Sequence, residues 1–265
     1  MSQLILSLFS GVGLLDKAFK ERGFTVVSAG DIIYGQDIRD FKGIKGKFDG
    51  VIGGSPCQDY SGLKRVKGTY SDEMINQYIR VVKECDPDWW LLENVKGVPD
   101  IEVVGYSHQR IDINQGWYSD TSRLRHIQFG SKHSLFLDIP RLPMQKIVRG
   151  CALASDTRSF KELCNLQGLP DNFDLPDFNV AGKKKAVGNG VPLVIGRVLA
   201  GAVAKVTRLN LIDKSHLIIE DNNNIYCKCG CMRVLRGNSN KKFYDSTCRK
   251  RASRKAKTVT LITCS

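Results

Sequence analysis

The chain has 265 residues, of which 42% are hydrophobic, so it can hold one large domain with its own core and a small appendage. No apolar run approaches the ~20 residues needed to span a bilayer. No basic segment with a small-residue cleavage site precedes the first apolar run, so we expect a cytoplasmic protein without signal peptide or membrane contact. The net charge of +13 is concentrated in residues 226–265, which hold 11 Lys or Arg and one acid. Such a basic end predicts contact with nucleic acid, and the alternative is a solvated tail.

The first 95 residues alternate between short apolar runs and segments with helical spacing. Strands are predicted at Leu4–Phe9, Thr25–Ala29, Phe48–Ile52 and Trp89–Leu92. Helices are predicted at Leu14–Glu21 and at Glu73–Cys85, the second with Asp72 as its N-cap. This alternation predicts an α/β fold in which a mostly parallel sheet has helices on both faces.

The second half of the chain gives weaker signals. Residues 100–131 are harder to assign, apart from a strand at His126–Phe129. Further predictions are an irregular insert at 131–157, helices at Ser159–Leu166 and Leu193–Val206, a glycine-rich loop at Val187–Val191, and a linker at Leu209–Asn224 with a weak strand at Leu217–Ile219. The chain is therefore divided into a main domain at 1–208, a linker at 209–225 and a basic tail at 226–265.

A thiol and a carboxylate follow two of the predicted strands. Cys57 stands in the turn Gly53-Gly54-Ser55-Pro56-Cys57-Gln58, and Glu93 follows the strand Trp89–Leu92. Because parallel strands bring their carboxyl ends to one edge of a sheet, we expect both side chains to face one pocket, as a nucleophile and a proton donor or acceptor. The alternatives are a cysteine buried as a small apolar residue and a glutamate that is exposed or caps a helix.

Glycines and acids after the first two strands indicate a ligand close to the backbone. Gly11-x-Gly13 follows the first strand and opens a helix, which lets a ligand approach the helix N-terminus. Asp31, after the second strand, is placed to accept hydrogen bonds from ribose hydroxyls, with a turn or helix cap as the alternative. Asp37 is equally compatible with an adenine amino group and with an ordinary surface position.

Six short blocks occur in one order along the chain. They are Phe9-Ser10-Gly11-Val12-Gly13, Pro56-Cys57-Gln58, Glu93-Asn94-Val95, Arg123-x-Arg125, Arg158 with Leu166-Gln167-Gly168, and Gly188-Asn189-Gly190-Val191. In this order they resemble cytosine-C5 DNA methyltransferases, over residues 4–206. The segment 125–130 is especially similar to phage-encoded members. The resemblance implies a Rossmann-like S-adenosylmethionine-dependent methyltransferase fold, and a location in a bacterial or phage-infected cell.

The resemblance also implies roles for individual residues. Cys57 resembles the nucleophile that attacks carbon 6 of a flipped cytosine, and Glu93 resembles the residue that holds and protonates ring nitrogen 3. Arg125, supported by Arg123, resembles the contact to the base carbonyl. S-adenosylmethionine is the implied donor of a methyl group to carbon 5, and a modified one-carbon group is left open. The implied cofactor-binding positions are Phe9, Gly11, Gly13, Asp31, Asp37, Pro56 and Asn189.

DNA contacts are predicted around the nucleophile and in the tail. The segment Asp59–Asp72 has the glycines and cations of a loop that closes over a phosphate backbone, with an ordinary exposed loop as the alternative. The predicted DNA-binding residues are Gln58, Ser61, Lys64, Arg65 and Arg158, with Arg249 and Arg251 in the tail.

Two positions and one segment depart from the family pattern. Thr121 stands where a glutamine usually precedes the arginine pair by two residues, and Leu14 replaces a common third glycine. The target-recognition insert, 131–157, is much shorter than usual and leaves little surface for base edges in the major groove. We therefore expect relaxed or very short sequence specificity, or readout supplied by the C-terminal end.

Four cysteines in the tail suggest a metal site. Cys227-x-Cys229-Gly230-Cys231 with Cys248 resembles short zinc-ribbon modules, and four thiolates suit tetrahedral zinc. Tyr244 stands where such modules often have a cysteine, so the alternative is a metal-free basic tail.

These observations predict a monomeric DNA cytosine-C5 methyltransferase of the kind found in restriction-modification systems. An enzyme that methylates cytosine in RNA, such as tRNA, is the first alternative. The second is a non-catalytic DNA-binding regulator of the same fold. Intact Pro56-Cys57-Gln58 and Glu93-Asn94-Val95 argue against a regulator, because binding alone requires neither the thiol nor the carboxylate.

Overall fold

A computed structural model describes residues 2–60, 68–214, 225–226 and 234–235. The chain divides into two compact units, residues 1–208 and 209–265. In the second unit, the residues described are 209–214, which are helical, and an antiparallel pair of two-residue strands, Ile225–Tyr226 and Val234–Leu235. The predicted strand at Leu217–Ile219 lies outside the described residues.

A six-stranded mixed sheet forms the centre of the first unit. The strands in this unit are β1 (Leu4–Leu8), β2 (Thr25–Ala29), β3 (Gly50–Gly53), β4 (Trp89–Asn94), β5 (Ser107–Asn114), β6 (Thr121–Ser122), β7 (Leu124–Ser131) and β8 (Arg149–Gly150). The sheet has the order β2-β1-β3-β4-β7-β5, while β6 and β8 form a separate parallel pair. Strands β1 to β4 run parallel, and β7 is antiparallel to both β4 and β5. The predicted mostly parallel sheet is confirmed.

Helices cover both faces of this sheet, as predicted. They are α1 (Leu14–Glu21), α2 (Tyr70–Cys85), α3 (Phe160–Leu166), α4 (Val180–Asn189) and α5 (Leu193–Lys214). On one face, Phe19 of α1 and Leu199 of α5 belong to the same buried cluster as Trp89. On the other face, Tyr78 of α2 shares a cluster with Trp90. The two tryptophans are consecutive in β4, so they point to opposite faces and fill both layers of the core.

Helix α2 begins earlier than predicted, and Asp72 is not its N-cap. The N-cap residue is Thr69, whose side chain makes no capping hydrogen bond. The carboxylate of Asp59 takes the place of a side-chain cap. It accepts hydrogen bonds from the backbone N–H groups of Gly68 and Ser71 at 2.8 and 2.9 Å. Asp72 accepts a hydrogen bond from the hydroxyl of Tyr60 instead. A carboxylate from another segment thus satisfies the first turn of α2.

The predicted glycine-rich loop at Val187–Val191 is wrong up to Asn189, because these residues end helix α4. The side chain of Asn179 caps the helix by accepting a hydrogen bond from the Gly182 N–H at 2.8 Å. The predicted linker is also wrong over residues 209–214, because α5 continues to Lys214. The three lysines inside α4 break the apolar spacing from which a helix is usually predicted.

Most of the predicted insert, 131–157, is irregular as expected, but Ser131 ends β7 and Arg149–Gly150 form β8. Among the described residues, no single helix is both long and apolar enough to cross a membrane. Helices α4 and α5 pass that test of length and composition only when taken together as a bent pair.

Candidate active site

One cavity of about 460 Å³ opens at the carboxyl ends of the parallel strands. Its lining comes from the turns after β1, β2 and β3, from the end of β4, and from Arg125 in β7 and one face of α4. Cys57 and Glu93 both line it, as do Gly11 and Asp37. The thiol, the carboxylate and the glycine turn therefore share one space, as the strand order predicted.

The turn that carries Cys57 is fixed by close packing and by hydrogen bonds. A side chain at Gly53 would approach the ring of Tyr78 to 2.8 Å, so only glycine fits at the end of β3. The side-chain amide of Asn94 donates hydrogen bonds to the backbone carbonyl and the hydroxyl of Ser55, at 3.2 and 2.9 Å. These contacts hold a half-buried, free thiol at the cavity. Burial raises the pKa of Cys57, and the Glu93 carboxylate adds to that effect.

Glu93 and Arg125 form a buried ion pair across strands β4 and β7. The Nε atom of Arg125 lies 2.7 Å from Oε1 of Glu93, and both side chains are largely shielded from solvent. Burial raises the pKa of the Glu93 carboxyl, while the charges of Arg125 and Arg123 oppose that shift. The site thus combines an acid that retains its proton more readily than an exposed glutamate with a cation beside it.

Arg123 does not line the cavity. Its guanidinium donates hydrogen bonds to the backbone carbonyls of Ala152, at the end of the insert, and of Gly188 in α4. Burial lowers the pKa of Arg123. These donors hold two distant segments against β7, and the predicted catalytic role of Arg123 stays a prediction.

The β1–α1 turn has strained backbone where it borders the cavity. Phe9 adopts φ +53°, a left-handed conformation that is costly for a bulky residue, and Gly11 adopts φ +55°. Gly13 is the N-cap of α1 at φ +73°, and it shapes the turn without lining the cavity. The hydroxyl of Ser10 is buried and has no hydrogen-bond partner among the described residues.

The two predicted cofactor-binding acids line the cavity, but each already accepts hydrogen bonds. Asp31 accepts from the backbone N–H of Gly11 at 2.7 Å and from that of Ile33 at 2.9 Å. Its cap role, the alternative in the sequence analysis, is therefore present, and lone pairs remain on both oxygens for a ligand. Asp37 accepts from the backbone N–H and the guanidinium of Arg39 at 2.9 and 2.8 Å.

Pro56, Gln58 and Asn189 also line the cavity. Asn189 is held through Gln167, whose side-chain amide donates to the carbonyls of Val187 and Gly190 at 2.7 and 3.0 Å. The sequence analysis did not assign Phe178 or Lys185, which line the cavity as well. The spacing of Asn179 and Gly182 was the available signal, since it marks the start of the helix that carries Lys185, and Phe178 directly precedes its N-cap.

The predicted DNA contacts remain predictions. Ser61, Lys64 and Arg65 lie outside the described residues, as do Arg249 and Arg251 in the tail. The guanidinium of Arg158 is engaged within its own segment, where it donates to the Asp156 carboxylate and to the carbonyls of Gly150 and Cys151.

The four predicted zinc ligands, Cys227, Cys229, Cys231 and Cys248, also lie outside the described residues. In the described part of the chain, no group of three or more His, Cys, Asp or Glu side chains is arranged to hold a metal ion. Zinc binding therefore stays a prediction.

Comparisons with known proteins match one family model to the amino-terminal part of the chain and curated relatives to about a third of it. The sequence model of the family described as C-5 cytosine-specific DNA methylase matches residues 4–102. Type II methyltransferase M.FnuDI of Fusobacterium nucleatum is 34% identical over 112 residues, covering 36% of this chain and 33% of that protein. Orphan methyltransferase M.Rho11sI of Bacillus phage rho11s is 33% identical over 125 residues, covering 37% of this chain and 24% of that protein. The alignments thus span about a third or less of these curated relatives.

Solved structures of methyltransferases share the fold over a longer stretch. A mutant of Spodoptera frugiperda DNMT2 superposes with a TM-score of 0.57 and 16% identity, covering 76% of this chain and 99% of that chain. The Entamoeba histolytica methyltransferase EhMeth superposes with a TM-score of 0.56 and 12% identity, covering 77% of this chain and 98% of that chain. At these identities, the likeness concerns the fold alone.

Proposed function

We propose that the protein transfers a methyl group from S-adenosylmethionine to carbon 5 of cytosine in DNA, as the match of residues 4–102 to the C-5 cytosine-specific DNA methylase model suggests. One observation carries the proposal. The Cys57 thiol, the Glu93 carboxyl and the glycine turn after β1 line the same cavity. A nucleophile, an acid and a place for a methyl donor are the groups that this reaction requires.

The β1–α1 side of the cavity is suited to S-adenosylmethionine. The buried Ser10 hydroxyl lacks a partner among the described residues, and a side chain at Gly11 would meet nothing within 4 Å, which leaves room over the backbone. Asp37 and Asn189 line the same space. We infer that these residues, with Asp31, hold the cofactor, which supplies an electrophilic methyl group when it is bound.

Cys57 and Glu93 act on the cytosine ring in this proposal. Burial keeps the thiol protonated at rest, so its proton must first pass to solvent water. The Sγ–C6 bond then forms while Glu93 gives its proton to ring nitrogen 3, so that carbon 5 becomes the nucleophilic end of an enamine. After methylation, carbon 5 loses its proton to solvent water, the Sγ–C6 bond breaks to release the thiolate, and the nitrogen 3 proton returns to Glu93. Arg125 donates to the base carbonyl and keeps the ring in place.

Cytosine must leave the duplex to reach this site. Glu93 is buried at the end of β4 and Cys57 is half-buried, so neither group reaches a base stacked inside DNA. We infer that the base is flipped into the cavity. Gln58, next to the nucleophile, is proposed as a DNA contact.

Covalent trapping tests the proposal. With S-adenosylmethionine present, a duplex with 5-fluorocytosine at target positions accepts the methyl group but has no carbon 5 proton to lose, so the Sγ–C6 bond persists and the protein–DNA adduct survives denaturing electrophoresis. We expect an adduct with the wild-type protein and none with Cys57→Ala.

Cys151→Ser is the matched control, since Cys151 is also half-buried but does not line the cavity. It should form the adduct. An adduct with fluorinated RNA but not with DNA would contradict the DNA substrate. Binding of DNA with no adduct on either polymer would point to a non-catalytic regulator.

A further inference from the structure

Three cationic side chains among the described residues line the cavity, and two of them are in contact with carboxyl groups. Arg125 pairs with Glu93 at 2.7 Å. Arg39 lies between two carboxylates, Asp37 at 2.8 Å and Glu73 at 2.7 Å. The third cation is Lys185, which is exposed and makes no ion pair within the described part of the chain. Lys185 therefore brings an uncompensated positive charge to the cavity.

Helix α4 presents this charge on a defined face. Gly182, Lys185, Ala186 and Asn189 line the cavity, at spacings that place them along one side of a helix. The neighbouring lysines differ from Lys185. Lys183 pairs with Asp174 at 2.6 Å, and Lys184 does not line the cavity.

The acids of the cavity indicate which ligand group this lysine receives. Asp31, Asp37 and Glu93 all line it, and they suit the ribose, amino and base groups of the ligands. A carboxylate on the ligand is repelled by these acids and is attracted to an unpaired cation. S-adenosylmethionine carries one carboxylate, on its amino-acid portion. We propose that Lys185 binds this carboxylate and thereby anchors the amino-acid end of the cofactor.

The inference rests on the proposed function, and it is tested by binding without catalysis. Calorimetry measures the Kd of the full chain for S-adenosylmethionine and for decarboxylated S-adenosylmethionine, which lacks only the carboxylate. We expect Lys185→Gln to weaken binding of S-adenosylmethionine about fivefold, a size typical of one charge-assisted contact that is partly exposed. Its affinity for the decarboxylated compound should equal that of the wild type.

Two further variants complete the test. Lys185→Arg keeps the charge and should restore most of the affinity, and Lys184→Gln should bind as the wild type does. Equal weakening of both ligands by Lys185→Gln, or no weakening of either, overturns the assignment. So does a loss of DNA affinity with unchanged cofactor affinity, which would assign Lys185 to the phosphate backbone. If the wild type binds neither compound, the cofactor itself is wrong, and the proposal for Lys185 falls with it.

Discussion

Two titrating groups in the cavity hold their protons more firmly than exposed groups do. Glu93 is buried at the end of an apolar strand, so removal from water raises its pKa even though Arg125 lies 2.7 Å away. The pKa of the Cys57 thiol is also raised, first by burial and then by the nearby Glu93 charge. The proposed reaction requires Glu93 protonated and Cys57 deprotonated, so the rate follows the product of these two fractions.

The pH dependence of Glu93→Gln follows from this product. Between the raised pKa of Glu93 and that of Cys57, the protonated acid decreases about tenfold per pH unit while the thiolate increases about tenfold. The single-turnover rate of the wild type should therefore be nearly flat across this range. Glutamine cannot lose a proton there, so the rate of Glu93→Gln should rise with pH while remaining about 10²–10⁴-fold lower, the usual contribution of a general acid.

Rapid quenching of methyl transfer across this pH range provides the measurement. Affinity for S-adenosylmethionine, measured alongside, should be unchanged and serves as the control for an intact fold. A Glu93→Gln profile parallel to that of the wild type would remove Glu93 from the proton-transfer step.

At the scale of elements, the end of helix α4 is locked to the rest of the fold by long-range hydrogen bonds. The Arg123 guanidinium bonds to the carbonyl of Gly188, 65 residues away in the chain, and to that of Ala152. Gln167 bonds to the carbonyls of Val187 and Gly190, which flank Asn189 in the chain. Asn189 therefore owes its place in the cavity to partners on other elements.

These contacts explain which parts of the site could be predicted from sequence. Cys57 follows the apolar strand β3 and Glu93 lies at the end of the apolar strand β4, so strand ends alone bring them together. The boundaries of α1 and β2 agree with the predictions because apolar spacing and Gly23 define them locally. The hydrogen bonds of Arg123, the distant cap of α2 and the helical state of residues 180–189 depend on partners far away in the chain. No local spacing reveals such partners.

Packing at the end of α4 gives a stability prediction. A Cβ atom at Gly188 would lie 2.3 Å from the backbone oxygen of Leu153, and backbone cannot move aside as a flexible side chain can. Gly188→Ala should therefore lower the free energy of unfolding by about 1–3 kcal/mol, as overpacking usually does. Urea unfolding of residues 1–265 followed by circular dichroism is the measurement.

Gly201→Ala is the matched control, because Gly201 lies within α5 and a Cβ atom there would meet nothing within 4 Å. This change should raise the free energy of unfolding by about 0.4–1 kcal/mol, since alanine has the higher helix propensity. Equal effects of the two substitutions would show that the close approach of Leu153 does not limit Gly188.

At the scale of the whole molecule, the net positive charge is concentrated in the last part of the sequence. Residues 226–265 carry 11 basic side chains and one acid, whereas the described residues that line the cavity include three acids and three cations. Phosphate neutralisation provides affinity without sequence information, and base contacts provide specificity. The resemblance implies that the insert at 131–157 is the target-recognition segment. We therefore expect affinity for DNA and readout of its bases to belong to different parts of the chain.

Shortening the chain to end at residue 220 separates these two contributions. Removal of the basic tail should weaken DNA binding and reduce the slope of log affinity against log salt by about one for each phosphate that the tail neutralises. If the insert alone reads the bases, genomic DNA treated with the full chain and genomic DNA treated with the shortened chain should be methylated at the same short, degenerate site. Loss of selectivity in the shortened protein would assign readout to the tail. A unique six-base-pair site kept by the shortened protein would contradict both relaxed specificity and readout by the tail.

Elemental analysis of the full chain and of the shortened chain tests the tail cysteines. Zinc bound by these cysteines must be present in the full chain and absent from the shortened one.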